Sequence, residues 1–425
     1  MQNRREFIKG SGVFAAMMAA APNIVVGQGA ARVFKVGMIG AGGRCSGAAK
    51  NIIEAAKILG HEIKIVAVCD FFEKKAKDTA KKFGCDEKMA FGGADSYKKV
   101  IGTDCEIIVT ATPPSFRAVH VEAAIKAGKH VFSEKPVAVD GPGVRRFLAA
   151  AAEAKAKKLA LVAGTQRRHQ AAYLRQAKAL AEGRIGPVVG GAVYWNGRVP
   201  FVRKRADGAS NAAYLCDNWV NWMEMSGDHI VEQHVHNLDV ANWFIGRYPR
   251  MATGFGDRAR RVSGNQFDFF SVDFDYGDGV HIHSMCRQLA GCSDFVGERL
   301  RATDGEISGG GKITKGGQDL ALDGDFREGN PYVVEHVDLL QGILSGKVVN
   351  EGENVAMSTA TAIIGRISTY TGRTIRMSDI LENKESEFYN MACKPTADDF
   401  EGGGDVPLPA ENTAPVPGID DPRFA

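Results

Sequence analysis

The stretch VFKVGMIGAGGRCSG, residues 33–47, runs from an apolar segment into a glycine cluster and then into a helix-like segment. Such a turn needs a residue free of backbone restriction, a role for Gly40. It also needs a position without a side chain, Gly42, where backbone can approach a ligand. The N-terminus of the helix that follows offers unpaired N–H groups and positive potential, which suits the pyrophosphate of a dinucleotide. The third glycine position holds Cys45, a side chain small enough for close packing. A plain glycine turn is the competing explanation, because the pattern is short.

Residues downstream strengthen the dinucleotide expectation. A second apolar run, Ile63–Cys69, ends at Asp70, an acid placed to accept from a ribose 2′-hydroxyl. It follows Gly40 by 70 − 40 = 30 positions, so the first helix or its loop is longer than the usual ~20 allows. Phe71 and Phe72 come next rather than Arg or Lys, so NAD is favoured and NADP disfavoured. A strand-end turn is the bland alternative for Asp70. Ala111-Thr112-Pro113-Pro114 forms a rigid turn after a third run, Glu106–Thr112. With His130–Ser133 and Leu159–Gly164 as further strands, and Ser46–Leu59 and Phe116–Ala127 as helices, the pattern is that of a parallel doubly wound sheet. Gly43, Arg44, Thr112, Pro113, Glu134 and Lys135 complete the expected cofactor contacts with Gly40, Gly42 and Asp70.

After residue 168 the apolar pattern alternates. Val188–Trp195, Phe267–Tyr276 and Val280–Arg287 predict an open, mostly antiparallel sheet, and a helix is predicted from about Asn354 to Tyr370, stopped at Thr371-Gly372. The fold class is α/β: an N-terminal Rossmann doubly wound parallel sheet plus a C-terminal α+β domain. The boundaries are 32–165 for the NAD-binding domain and 166–380 for the substrate-binding, catalytic and oligomerisation domain. A tail, 381–425, holds six of the fifteen prolines and is expected to lie disordered or along the surface.

The chain has 425 residues, 44% hydrophobic and 24% charged, as expected of a globular protein of two domains. A net charge of +3 with no Lys/Arg block argues against a nucleic-acid partner. Residues 1–31 open with Arg4-Arg5, then Phe7-Ile8-Lys9 and a short apolar run to Pro22. This suits a twin-arginine export signal cleaved near Ala31, which implies the export machinery as a partner, a periplasmic location and no stable membrane span after processing. An ordinary basic leader is the alternative. Of eight cysteines, Cys45, Cys69 and Cys105 fall in expected core positions, and spacing leaves open a Cys286–Cys292 bridge.

Two stretches carry chemistry. AGKHVFSEKPVAVD, residues 127–140, sets Glu134-Lys135-Pro136 directly after a strand, where a lysine can project into a cofactor cleft and polarise a hydroxyl or carbonyl. SGDHIVEQHVHNLD, residues 226–239, holds three histidines, one glutamate and two aspartates. As one helix it puts His229, Glu232, His236 and Asp239 on an arc of about 80°. Glu232 then pairs with His236 and raises its pKa, while His234 points off the arc. A metal site is the rival, but Gln233 stands where the second histidine of an inverzincin pattern belongs, and no cysteine pair has zinc-finger spacing. No metal is expected. A polar helix face with structural histidines is the other alternative.

The glycine turn, ATPP, GKHVFSEKP, TQRRH at 165–169, GRIGPV at 183–188 and the acid four residues before a histidine together resemble the Gfo/Idh/MocA oxidoreductases (glucose–fructose oxidoreductase and inositol dehydrogenase). The resemblance runs over roughly 33–380. It implies that Lys135 sits beside a nicotinamide and that His236 supplies the second catalytic group. Glu232 stands where the family has aspartate, and His234 where it has glycine. The implied activity is hydride transfer between a tightly bound NAD and a sugar, glycoside or polyol, with redox-neutral glycoside cleavage as an alternative. A non-catalytic NAD-dependent sensor is a further one. Arg167, Trp219, Trp222, His229 and Asp239 are the expected substrate contacts, with Trp195 and Arg168 nearby. Core packing competes for the tryptophans and ion pairing for the arginines. The exposed face of the second sheet favours a homo-oligomer.

Overall fold

The computed structural model describes residues 30–401 and 405–419, so the expected export signal, apart from Ala30 and Ala31, lies outside the described residues. Six strands, β1 (Val33–Ile39), β2 (Glu62–Asp70), β3 (Ala90–Gly92), β4 (Ile107–Thr110), β5 (His130–Ser133) and β6 (Leu161–Ala163), form one sheet in the order β3-β2-β1-β4-β5-β6. All pairings are parallel. This is the Rossmann arrangement, whose ligand crevice lies at the carboxyl ends of β1 and β4, where the chain switches direction across the sheet. Short continuous apolar runs suit it because both faces are covered. In β4, Ile107 and Val109 enter one buried cluster and Ile108 the other.

The second sheet has nine strands, ordered β14-β13-β12-β11-β7-β10-β9-β8-β15. They are β7 (Val188–Gly197), β8 (Met251–Asp257), β9 (Phe269–Asp275), β10 (His281–Gln288), β11 (Phe295–Ala302), β12 (Gly305–Ser308), β13 (Lys312–Lys315), β14 (Gln318–Asp319) and β15 (Ile375–Arg376). Only β7 and β10 run parallel. The inward residues of β10 are buried and its outward ones mostly exposed, the alternation expected of a sheet with one open face. That outer face leaves Phe255, Met285 and Phe295 exposed.

The helix Gly352–Thr371 packs against β8 and β9 of the second sheet and against the helix Gly141–Ala156, and is buried nearly throughout, although it is rich in Ser and Thr. Its threonine hydroxyls are satisfied within the helix: Thr359, Thr361, Thr369 and Thr371 each donate to the carbonyl four residues back, at 2.8–2.9 Å. Gly372, at φ 69°, ends it as the sequence predicts. Other boundaries move by a few residues. The first helix runs Gly43–Ile58 rather than from Ser46, and the one after ATPP begins at Pro114. Proline fits there because a first-turn residue needs no N–H partner.

One open question is answered and one expectation fails. Cys286 is buried in β10, Cys292 is exposed, and both are free thiols, so no bridge joins them. The proline-rich tail is not merely a surface arm. Phe388, Cys393, Ala397, Phe400 and Val406 are buried, and Phe400 packs edge-on against Phe116 at 5.0 Å. Proline count overrides nothing when apolar residues between the prolines find a groove to fill.

Candidate active site

The glycine turn closes β1 onto the crevice. Gly40 sits at φ 102°, and a Cβ there would meet the main chain of Ala111 at 3.3 Å, so both the conformation and the space demand glycine. A Cβ on Gly42 or Gly43 would meet nothing within 4 Å. Their open backbone faces a cleft of about 620 Å³, within the ordinary range for a cofactor site. Cys45 occupies the third glycine position with its side chain fully buried, and burial pushes its thiol pKa well up, which leaves it inert. Asp70 lines the same cleft. Its Oδ2 accepts from Ala41 N at 2.8 Å and its Oδ1 from Phe72 N at 3.0 Å, so it both shapes the turn and presents a carboxylate at the strand tip.

Thr112 and Pro113 form the facing rim. Sequence reasoning missed their brace, Arg117, which donates to Thr112 O at 2.8 Å and to Pro136 O at 2.7 Å and so ties the two rims together. The cleft's other wall comes from residues beyond β7: Phe201, Arg203, Asp217 and Trp219 line it, and Lys75 reaches across to Asp217 at 3.1 Å. Open glycines, an acid at the β2 tip and a roofed cleft fit a bound dinucleotide.

Beyond the turn, Arg44 is drawn inward. Its Nε pairs with Glu134, its Nη2 lies 3.5 Å from Glu335, and its guanidinium sits 4.8 Å over Tyr332. Burial, with the Glu134 carboxylate adding to it, holds the Glu335 carboxyl well above the usual range. Glu134 anchors this group, and Gly164 makes room for it.

Lys135, at the end of β5, projects toward the second domain. Its Nζ donates to the main-chain oxygen of Glu232 at 2.6 Å and lies 3.4 Å from the Glu232 Oε1. Here the helical expectation needs correction. Residues 229–239 are not one helix: His229–Glu232 and Val235–Ile245 are separate, with the break at Gln233-His234. The wheel that aligned four polar groups therefore fails, and the Glu232 carboxylate turns to Lys135 instead of His236. His236 is buried, its ring stacked on Trp195 with centroids 5.7 Å apart and planes at 20°. Burial lowers its pKa well below the ordinary value, and the nearby Lys135 and Arg167 cations lower it further, the reverse of the expected rise. The imidazole is neutral.

Asp239 does not face the cleft chemistry. Its carboxylate takes Arg168 at 2.8 and 2.9 Å and also accepts from Ser358 Oγ. His229 pairs with Asp228 at 2.9 Å and packs edge-on against Phe270, so it too is structural. Trp222 is fully buried against Tyr214, a core residue, whereas Trp219 lines the cleft. Arg167 donates to Glu298 at 2.5 Å, and Glu298 also accepts from Tyr173 and Asn237. Glu298 was legible as an acid in the inward phase of β11, beside Leu300 and Ala302. His234 is buried and shares a hydrogen bond with Ser284 at 2.8 Å. Among the described residues no group of three or more His, Cys, Asp or Glu is arranged to hold a metal ion.

A parallel sheet with a glycine-rich crevice, roofed by a second, sheet-based half, defines a dinucleotide-binding protein of Rossmann class. Residues 34–162 match the Gfo/Idh/MocA family model, described as an oxidoreductase family with an NAD-binding Rossmann fold. The inositol 2-dehydrogenase of Rhizobium meliloti is 27% identical over 202 residues, 47% of this chain and 53% of that protein. Inositol 2-dehydrogenase 3 of Saccharopolyspora erythraea is 34% identical over 175 residues, 40% of this chain and 48% of its own length. The chain thus spans about half the length of these curated relatives. An oxidoreductase domain protein of Kribbella flavida shares the fold at a TM-score of 0.66 and 15% identity, over 81% of this chain and 99% of that one.

Proposed function

We propose that this chain is an exported NAD-dependent oxidoreductase that moves hydride between a tightly held nicotinamide cofactor and a hydroxyl or carbonyl of a sugar, glycoside or polyol. One observation carries the reading: Lys135, at the carboxyl edge of β5 beside the dinucleotide cleft, meets Glu232 of the second domain at 2.6 Å. His236 stands close enough to lose proton affinity to the Lys135 charge. When bound, NAD supplies the hydride acceptor at its nicotinamide ring. The neutral His236 imidazole takes the hydroxyl proton, and the Lys135 ammonium stabilises charge developing on the substrate oxygen. Glu232 serves Lys135 rather than orienting the imidazole. Trp195, stacked on His236, offers a flat face suited to the apolar C–H side of a sugar ring. The inositol 2-dehydrogenases among the relatives support a polyol or sugar as substrate class.

Export is proposed from Arg4-Arg5 and Phe7-Ile8-Lys9. A periplasm supplies no free NAD, so the cofactor is proposed to stay bound and to be regenerated in place. Assembly with a second copy through the exposed Phe255, Met285 and Phe295 belongs to the same reading. The test is mass spectrometry of nucleotide that co-purifies with the exported protein, followed by reduced-nicotinamide absorbance on mixing with a sugar panel. Lys135→Ala and His236→Ala should abolish the absorbance change while nucleotide stays bound. Turnover persisting in both variants, or no nucleotide in the wild type, sinks the reading.

A further inference from the structure

We propose that the break between Glu232 and Val235 is a positioning device for Lys135, and that Gln233 and His234 hold it open from β10. Its catalytic consequence rests on the oxidoreductase reading above, while its geometry stands without it. In an unbroken helix the Glu232 main-chain oxygen would accept from the N–H four residues on, that of His236. Here the His236 N–H turns to Gln233 O at 3.4 Å. The oxygen of His229 takes both the Gln233 and the His234 N–H groups, at 3.0 and 3.1 Å. This widened turn leaves Glu232 O for the Lys135 ammonium at 2.6 Å.

An ammonium has three N–H donors. Glu232 engages two of them, one through its main-chain oxygen and one through Oε1 at 3.4 Å. One donor remains, and its direction is fixed by the other two. Much of the hold comes from a neutral carbonyl, which orients the ammonium without cancelling its charge. A helix that ran straight through 232–236 would withdraw that carbonyl and leave only a flexible carboxylate.

Two side chains pin the widened turn. The buried His234 Nε2 shares a hydrogen bond with Ser284 Oγ at 2.8 Å, and Gln233 Oε1 accepts from Gln288 Nε2 at 2.8 Å. Ser284 and Gln288 lie four residues apart on the inward face of β10, so one strand grips consecutive residues of the break. Gln233 and His234 are positioning residues that act through Glu232 on Lys135.

The test uses full-length protein with its nucleotide bound and compares wild type with Ser284→Ala and Gln233→Ala. Acylation of Lys135 by an amine-reactive reagent, read by peptide mass spectrometry against the exposed Lys74, should quicken about three- to tenfold, the range one lost hydrogen bond allows. The turnover number should fall about tenfold with the KM for the sugar or polyol unchanged, because orientation rather than binding is lost. Unchanged Lys135 acylation in both variants overturns the proposal. So does faster acylation with an unchanged turnover number. If the wild type turns over no sugar yet acylation responds as stated, the oxidoreductase reading fails and the positioning geometry stands. Should Ser284→Ala not fold, the half-buried Gln233→Ala carries the comparison alone.

Discussion

A side chain at position 164 and the Glu134 carboxylate compete for one space: a Cβ placed on Gly164 lies 2.5 Å from Glu134 Oε2. Gly164→Ala therefore displaces Glu134 and frees Arg44 from its partner. Loss of a charge-assisted contact is worth about 1.5–3 kcal/mol. Nucleotide affinity should drop about tenfold or more by isothermal titration, and an unchanged Kd would show that Arg44 needs no such anchor.

Asp70 is the proposed determinant of nucleotide choice. Replacing it with Ser removes the strand-tip carboxylate that in Rossmann folds hydrogen-bonds a ribose hydroxyl and repels a 2′-phosphate. Affinity for NAD should weaken by about 1.5–3 kcal/mol while that for NADP holds or improves. Paired Kd measurements check the direction, and an equal loss for both would assign Asp70 to turn structure alone.

His120 makes a pH-sensitive contribution to stability. It is buried against Tyr97 and stacked on Phe116, and burial pulls its pKa down to about 3, with Arg117 and Arg146 lowering it further. Unfolded histidine titrates near 6.5, so below that pH the unfolded chain binds a proton the folded one refuses. Stability falls as pH drops from about 6.5 toward 3, by about 1.4 kcal/mol per pH unit for this group. His120→Phe should flatten the urea-denaturation slope across that window by this amount.

Asp239 is assigned here to the frame rather than to substrate. Asp239→Ala strands Arg168 as an uncompensated buried charge, which costs about 3–5 kcal/mol. Urea denaturation should show the loss, with substrate KM unchanged in the protein that folds. Full stability with a raised KM would return Asp239 to the substrate site.

Phe400 anchors the tail. Truncating a buried phenylalanine costs about 3–5 kcal/mol where the site cannot collapse, and Phe400→Ala should fall at the low end because its groove lies near the surface. Denaturation of the variant reads the value, and no change would restore the tail to a passive arm.

Much of the dinucleotide half was legible because its determinants are local. Gly40, Gly42 and Asp70 each answer to a backbone demand within a few residues, and the strands of a parallel sheet announce themselves as short apolar runs. The catalytic edge was legible only in part. The pattern singled out Lys135 and His236 as candidates, but the break at Gln233-His234 is bonded to Ser284 and Gln288, some fifty residues on. No helical wheel contains them. The tail misled for a related reason: Cys393, Phe400 and Val406 are spaced without period, and only the groove they fill gives them meaning. Arg168 and Asp239, read as an even choice between ligand and ion pair for the arginine, needed their shared geometry to decide.

The cleft's two walls come from distant parts of the chain, with Lys75 and Asp217 joined across the gap. A nascent polypeptide finished only through β6 owns the glycine turn and Asp70 but has no lid of Phe201 and Trp219 to close over them. Retention of the proposed nucleotide would therefore report that both walls of the cleft have folded and docked.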